Sequence, residues 1–320
     1  MPQAVADAKI FAGRSSMPFA VKVCEYLGME MGGAETIVFS EGALFVKVLE
    51  KVRDKDVYVI QTIGTQPNDE FMELLFYIDA FKRASASSVT AILPYFAYAK
   101  GDKKDEPRVS IRARVCADCL ESAGVDRVIM MDLHSPQIQG FFKKPVDHLY
   151  AMDALCAEVK KYECLDNLVV VAPDTGFAKN ARKYANKLGV GLAIGDKVRR
   201  SHNELAEVEG IIGDVAGRNV LIVDDFTISC GTLAATARFL KKLDVERISA
   251  CVSHCVMSER ALTELSNSPI EKLFITDTVE NPAAFSHPKI KVVSMAPVFG
   301  EAIRIIHNRE SLSQLFDGQP

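Results

Sequence analysis

Short apolar runs rich in Val and Ile recur along this chain, and each is followed by a segment with helical spacing. No other feature constrains the fold as much. The runs fall at 57–61, 89–94 and 128–132, then at 168–172, 190–194, 220–224, 248–253, 273–276 and 290–294. Apolar positions three or four apart predict helices over 69–83, 111–123, 177–188 and 233–243. A strand with one wet face alternates, whereas a strand buried on both faces is apolar throughout. The runs therefore predict α/β architecture, with mainly parallel sheets flanked by helices. The rhythm occurs twice, with a change near 145–153. Two similar domains are expected, 1–150 and 151–320, and 320 residues suit two domains of about 100–200 residues each.

Composition narrows the function. A formal net charge of −4 argues against nucleic acid as a partner. No apolar run approaches the ~20 residues that cross a bilayer, so no membrane partner is expected. The first residues lack the basic and apolar regions of a signal peptide, and the expected location is cytoplasmic. The eight cysteines then read as reduced thiols. Cys116 and Cys119 form a Cys-x-x-Cys, but their helical spacing with Ala113, Val115 and Leu120 favours packed thiols over zinc.

The segment from Asn219 to Lys242 carries the richest chemistry. It reads as a buried strand ending on Asp224 and Asp225, then a turn with Ser229, Gly231 and Thr232, then a helix. Ionised carboxylates accept strong hydrogen bonds and suit sugar hydroxyls. Backbone N–H groups at a helix N-terminus suit a phosphate. An ordinary strand–turn–helix with Asp225 near a cap fits the same residues. Asp132-Leu-His134 and Pro173-Asp174 each follow a strand, and His134 with Asp174 could hold a divalent ion that bridges phosphates. A structural histidine and a capping aspartate are the plainer reading. Lys197 and Arg199 suit charge stabilisation in phosphoryl transfer, or form a solvated basic cluster. The charged loops 99–108 and 199–209 are candidate lids. No Walker-type loop or Gly-x-Ser-x-Gly occurs, which speaks against a P-loop kinase and a serine nucleophile.

Several blocks in one order resemble the ribose-phosphate pyrophosphokinase family. They include Asn68-Asp-Glu-Phe-Met-Glu-Leu-Leu75, Pro94-Tyr-Phe-Ala-Tyr-Ala99, Met131-Asp-Leu-His-Ser-Pro-Gln137, Ile211-Ile-Gly-Asp-Val-Ala-Gly217 and Val223-Asp-Asp225. The resemblance covers nearly the whole chain. It implies transfer of the diphosphoryl group of Mg²⁺-bound ATP to the C1 hydroxyl of ribose 5-phosphate, giving phosphoribosyl pyrophosphate (PRPP) and AMP. By the same resemblance His134 and Asp174 are metal positions, and Lys197 and Arg199 act on the transferred group. Asp224 and Asp225 grip the ribose hydroxyls, while Ile228, Ser229, Cys230, Gly231 and Thr232 form the 5-phosphate loop. Phe39 of a neighbouring subunit would stack on adenine, with Glu41, Ala43, Lys100, Gly101 and Asp102 at the nucleotide. A homo-oligomer is implied, commonly a hexamer built from dimers, or a hetero-oligomer with a paralogue. Arg53 and the end of the chain match a regulatory phosphate or ADP site, where Lys51 stands for a usual Ser.

The chain departs from the family pattern at ligand positions. Ala43 stands for a carboxylate, Lys100-Gly101 for Arg-Gln, Ile228 for Asp, and Phe177 for a small residue. Three readings follow: an enzyme making PRPP, a diphosphokinase with another donor or acceptor, and a non-catalytic subunit that modulates active homologues.

Overall fold

Runs such as Leu168–Ala172 bury every residue, which requires packed layers on both faces of their sheet. The computed structural model describes residues 7–198 and 207–315. These fall into two units. One holds the described residues up to Leu149 together with Thr278–Glu280 and those from Met295 onward; the other holds Tyr150–Asp277 and Asn281–Ser294.

The first unit starts with β1 (Ala8–Ala12), α1 (Met17–Leu27) and a separate antiparallel pair, β2 (Ala34–Val38) and β3 (Leu44–Val48). It continues through β4 (Asp56–Ile60), α2 (Pro67–Arg83), β5 (Ser88–Leu93), α3 (Arg112–Ala123), β6 (Arg127–Met131) and β7 (Val146–Leu149). The five-stranded sheet β1-β4-β5-β6-β7 is parallel throughout and follows chain order without reversal. Val57, Val59, Val89, Ala91 and Val128 pack with Leu74 and Ile78 of α2 and with Ala117 and Leu120 of α3.

The second unit contains α4 (Met152–Tyr162), β8 (Leu168–Ala172), α5 (Ala178–Leu188), β9 (Gly191–Val198), β10 (Glu207–Ile212) and β11 (Asn219–Thr227). Beyond these lie α6 (Gly231–Lys241), β12 (Ile248–Cys255), α7 (Glu259–Ser266), β13 (Lys272–Thr276), α8 (Pro282–Phe285) and β14 (Ile290–Val293). The sheet order is β10-β9-β8-β11-β12-β13-β14, with only the β9–β10 pair antiparallel. Strand order reverses at β8, which has β9 on one side and β11 on the other. In such sheets the crevice beyond the strands' carboxyl ends at the reversal is the place for a ligand.

The last helix, α9 (Ala296–His307), packs in the first unit, although the sequence expectation placed everything after 150 in the second domain. Topology supplies the reason. The β4–β5 and β5–β6 crossovers put α2 and α3 on one face. The opposite face, with Tyr58, Ile60, Ile92 and Ile129, is fully or almost fully buried and needs other cover. Helices α1 and α9 supply it: Phe19 meets Phe299 edge-on at 5.5 Å, and the His307 ring lies 6.5 Å from Tyr58. Gly300 permits the close approach, since a Cβ there would lie 2.4 Å from the Tyr26 ring.

The sequence pattern missed β7, which occupies the stretch taken as a domain change, and the β2–β3 hairpin. Among the described residues no helix is long and apolar enough to cross a membrane. Phe299→Ala removes a fully buried ring from the α1–α9 contact. A loss of about 3–5 kcal/mol is expected, measured as an earlier urea transition; a midpoint equal to the parent's overturns this account of α9.

Candidate active site

The carboxyl ends of β8 and β11 form the centre of the site in the second unit. These strands pair only as far as Val171 and Ile222, while β11 and β12 stay paired to Thr227 and Cys255. The expectation that the strand ends on Asp224 is thus corrected: pairing with β12 carries it to Thr227. Past Ile222 the strand has lost β8, and Asp224 and Asp225 stand at that gap. Both are half-buried. The Asp225 N–H donates to Asp224 Oδ1 at 3.0 Å, and the Phe226 N–H donates to Asp225 Oδ1 at 2.9 Å. Burial, first, and the neighbouring Asp225 charge, second, push the Asp224 carboxyl well above the usual carboxylate range, with Asp174 adding to the rise. A crowded acidic site of this kind favours hydroxyl donors or a cation.

Asp174 follows β8 and is half-buried. Its Oδ1 accepts the Phe177 N–H at 3.2 Å and so closes the turn before α5, whose N-cap Phe177 has no side-chain cap. The backbone before it is tightly wedged, because a Cβ on Gly195 of β9 would meet the Pro173 carbonyl oxygen at 2.5 Å.

Between β11 and α6 the chain turns through Cys230, whose φ of +61° is left-handed; for a non-glycine residue this costs about 1–2 kcal/mol. Burial pushes the Cys230 thiol up to about 12, so it serves packing rather than nucleophilic chemistry. Ser229 and Ile228 are exposed, and the Gly231 N–H donates to Ser229 Oγ at 3.3 Å. Gly231 and Thr232 open α6, whose first turn presents backbone N–H groups.

Lys197 belongs to β9, opposite Val208 of β10, past the apolar run 190–194 that predicts a strand; Arg199 lies outside the described residues. The hairpin that carries Lys197 runs beyond Ile194, where β8 stops pairing with β9.

In the first unit His134 is exposed just after β6. Asp132 takes a φ of +39°, and the Leu133 N–H donates to Nε2 of buried His148 at 2.9 Å. This bond from β7 holds the His134 turn. Phe39, Glu41 and Ala43 form the β2–β3 turn, closed by the Phe39 N–H on the Ala43 carbonyl at 2.8 Å. The Phe39 ring is 45% exposed and lies 6.3 Å from Phe45, an open aromatic face suited to stacking. Ser40 Oγ donates to Glu41 Oε2 at 3.3 Å. Lys100 ends a short 3₁₀ turn, Gly101 is buried and Asp102 half-buried. Sequence reasoning missed Arg112, which lies against Gly101. An available signal was its charge: a cation on the first residue of a helix opposes the helix dipole.

Among the described residues no group of three or more His, Cys, Asp or Glu is arranged to hold a metal ion. A cation at these carboxylates would complete its shell from ligand oxygens and water, as Mg²⁺ commonly does.

The raised Asp224 carboxyl fixes the sign of a pH effect. Its proton is held more tightly in the folded chain than in the unfolded one, so stability falls as pH rises from about 3.8 through the folded value. Asp224→Asn is therefore expected to raise the ligand-free melting midpoint at pH 7 by about 2–4 °C, the shift that ~1 kcal/mol gives a domain of this size. The gain should vanish at pH 3. Calorimetry at both pH values checks this, and a lowered midpoint at pH 7 contradicts it.

Comparison with known proteins agrees with this geometry. Residues 8–124 match the model of the N-terminal domain of ribose phosphate pyrophosphokinase, and residues 208–317 match that of the phosphoribosyl synthetase-associated domain. The chain is 45% identical to a ribose-phosphate pyrophosphokinase of Chlorobaculum tepidum, over 97% of this chain and 95% of that protein. It is 43% identical to one of Aquifex aeolicus, over 96% and 98% of the two chains. A crystal structure of phosphoribosylpyrophosphate synthetase from Mycobacterium smegmatis superposes with a TM-score of 0.89 at 34% identity, covering 95% of this chain and 99% of that one. With such likeness along almost its full length, and an acidic pair and helix N-terminus at the sheet's reversal, the chain belongs to the ribose-phosphate pyrophosphokinase family.

Proposed function

We propose that this enzyme transfers the diphosphoryl group of Mg²⁺-bound ATP to the C1 hydroxyl of ribose 5-phosphate, giving PRPP and AMP. One observation carries the reading: an acidic pair and a helix N-terminus share one strand–turn–helix where the second sheet reverses. That segment can bind a sugar by its hydroxyls and its phosphate together.

In this reading Asp224 and Asp225 accept hydrogen bonds from the ribose hydroxyls, which offset the repulsion that raises Asp224. The backbone of Ser229, Cys230, Gly231 and Thr232 binds the 5-phosphate, which needs no side-chain carboxylate at Ile228. The C1 oxygen attacks the β-phosphorus, the bond to the α-phosphate oxygen breaks, and AMP leaves as the hydroxyl proton departs. Lys197 and Arg199 neutralise the charge spread over the transferred group. Phe39 stacks on the base, and Lys100 and Asp102 lie near the nucleotide.

Asp174 fits Mg²⁺ because it keeps a second carboxylate oxygen beyond the one its own loop uses, and His134 offers an exposed imidazole nitrogen. Asp174 would be the ligand in the second unit and His134 the candidate in the first; Mg²⁺ when bound neutralises the triphosphate and orients its oxygens. The exposed apolar residues Ile37, Val38, Phe39 and Phe45 of the β2–β3 hairpin support assembly into a homo-oligomer, in which Phe39 serves a neighbouring copy. The proposed location is the cytoplasm. A donor other than ATP is the second reading, favoured by the replacement of an amide side chain by Gly101.

Incubation with Mg²⁺, ATP and ribose 5-phosphate is expected to yield AMP and PRPP in equal amounts. Faster turnover with another nucleotide selects the second reading, and no turnover with any nucleotide rejects the enzyme. Lys197→Ala should lower the rate about 10³-fold, as loss of a charge-stabilising group does, while ribose 5-phosphate still binds. A variant at full rate removes Lys197 from this role.

A further inference from the structure

The turn before α3 holds a contact that the proposed reaction does not use. A Cβ built on Gly101 would lie 2.4 Å from Nε, 2.8 Å from Cβ and 3.1 Å from Cζ of Arg112. The Arg112 side chain thus occupies the volume into which any other residue at 101 would project. The Ala113 N–H donates to the Gly101 carbonyl at 3.1 Å, fixing the start of α3 against this glycine.

Packing places Arg112, not pairing. Among the described residues its guanidinium has no hydrogen-bond or ion-pair partner. Arg114 on the same helix, by contrast, pairs with Asp118 at 2.5 Å and donates to the Phe141 carbonyl. Arg112 is also the first residue of α3, with no acidic residue in that turn to balance it. Arg112 is exposed, so solvent screens most of the unfavourable interaction between its charge and the helix dipole. An anionic or carbonyl oxygen arriving from outside would add a favourable one. Burial raises the nearby Tyr98 phenol, and the Arg112 charge works against that rise, which places the cation close to this aromatic residue.

We propose, on the reading that segment 100–102 faces the nucleotide, that Arg112 is the specificity-determining residue of that segment. Its guanidinium stands where Gly101 lacks a side chain and donates to an acceptor of the nucleotide, either a polyphosphate oxygen or a purine ring acceptor. A guanidinium only donates, so an exocyclic amino group is not what it reads.

Calorimetric titration of the full chain in Mg²⁺ buffer with ATP, GTP and inorganic tripolyphosphate tests the assignment. Arg112→Ala should weaken ATP binding about tenfold, the loss expected for one charge-assisted hydrogen bond, with its melting midpoint unmoved. Arg112→Lys should recover part, since an ammonium lacks the planar fork. Gly101→Gln should also weaken binding by displacing the guanidinium. An equal loss for tripolyphosphate identifies a phosphate oxygen as the acceptor, and a loss confined to ATP and GTP identifies the purine. Arg112→Ala binding all three ligands like the parent overturns the proposal, as does a parent that binds none of them. A parent that binds ATP through Arg112 yet makes no AMP from ATP and ribose 5-phosphate removes the proposed reaction and leaves this assignment standing. Normal turnover with Arg112→Ala unchanged does the opposite.

Discussion

Adjacent carboxylates at the end of a buried strand oppose their own ionisation, through lost hydration and mutual repulsion. The second unit is organised around holding such a pair in place. Asp224 and Asp225 stand where β11 outruns β8, so one flank is open to a ligand and the other is tied to β12. The main chain offers some relief, since each carboxylate accepts the N–H of the next residue. The remainder falls on the apolar core, in which Val220 and Ile222 of the same strand pack with Leu233, Ala237 and Leu240 of α6. The two ends of β11 therefore have opposite tasks. The buried end supplies stability, and the acidic end holds a repulsion that hydroxyl donors or a cation would relieve.

The same division of tasks decides what could be read from the sequence. Strands β8 and β11 were legible because nothing polar interrupts their apolar runs from Leu168 to Ala172 and from Val220 to Val223. The hairpin β2–β3 was not legible: its residues are half-buried or exposed, so the apolar signal is diluted. Helix α9 is strongly amphipathic, but its partner α1 is distant in sequence, and local pattern cannot say which sheet an amphipathic helix covers. With α2 and α3 on one face of the first sheet, α1 alone is left for the other, and α9 returns to complete its cover.

Site residues followed a similar rule. Asp224 and Asp225 stood out because carboxylates at the end of an apolar run have no packing explanation. The extent of β11 did not, because it is set by β12 through the pairs at Phe226 and Thr227. Lys197 fell outside the expected strand because the apolar run stops at Ile194, yet β10 continues the ladder to Val198. Asp174 shows that a structural and a functional reading are not exclusive. One oxygen closes the turn before α5, and this bond fixes the direction in which the other is offered.

The departures from the family pattern fall into two physical kinds. At Ile228 the expected carboxylate is replaced by a side chain that offers no hydrogen bond, and the 46% exposure of this isoleucine shows that no packing has taken its place; the phosphate site proposed there would rest on backbone donors. At Gly101 the loss is coupled to a gain. With a glycine at 101, Arg112 can lie directly on the backbone, and with Arg112 there a larger residue at 101 would collide with it. Neither position can change alone without disturbing the other, which makes the pair a single unit of recognition rather than two substitutions. The exchange also alters what the segment can distinguish. An amide both donates and accepts, whereas a guanidinium only donates, so any discrimination of an amino-bearing base must come from an acceptor elsewhere. Glu41, exposed in the hairpin turn and hydrogen-bonded by Ser40, is a carboxylate able to act as one.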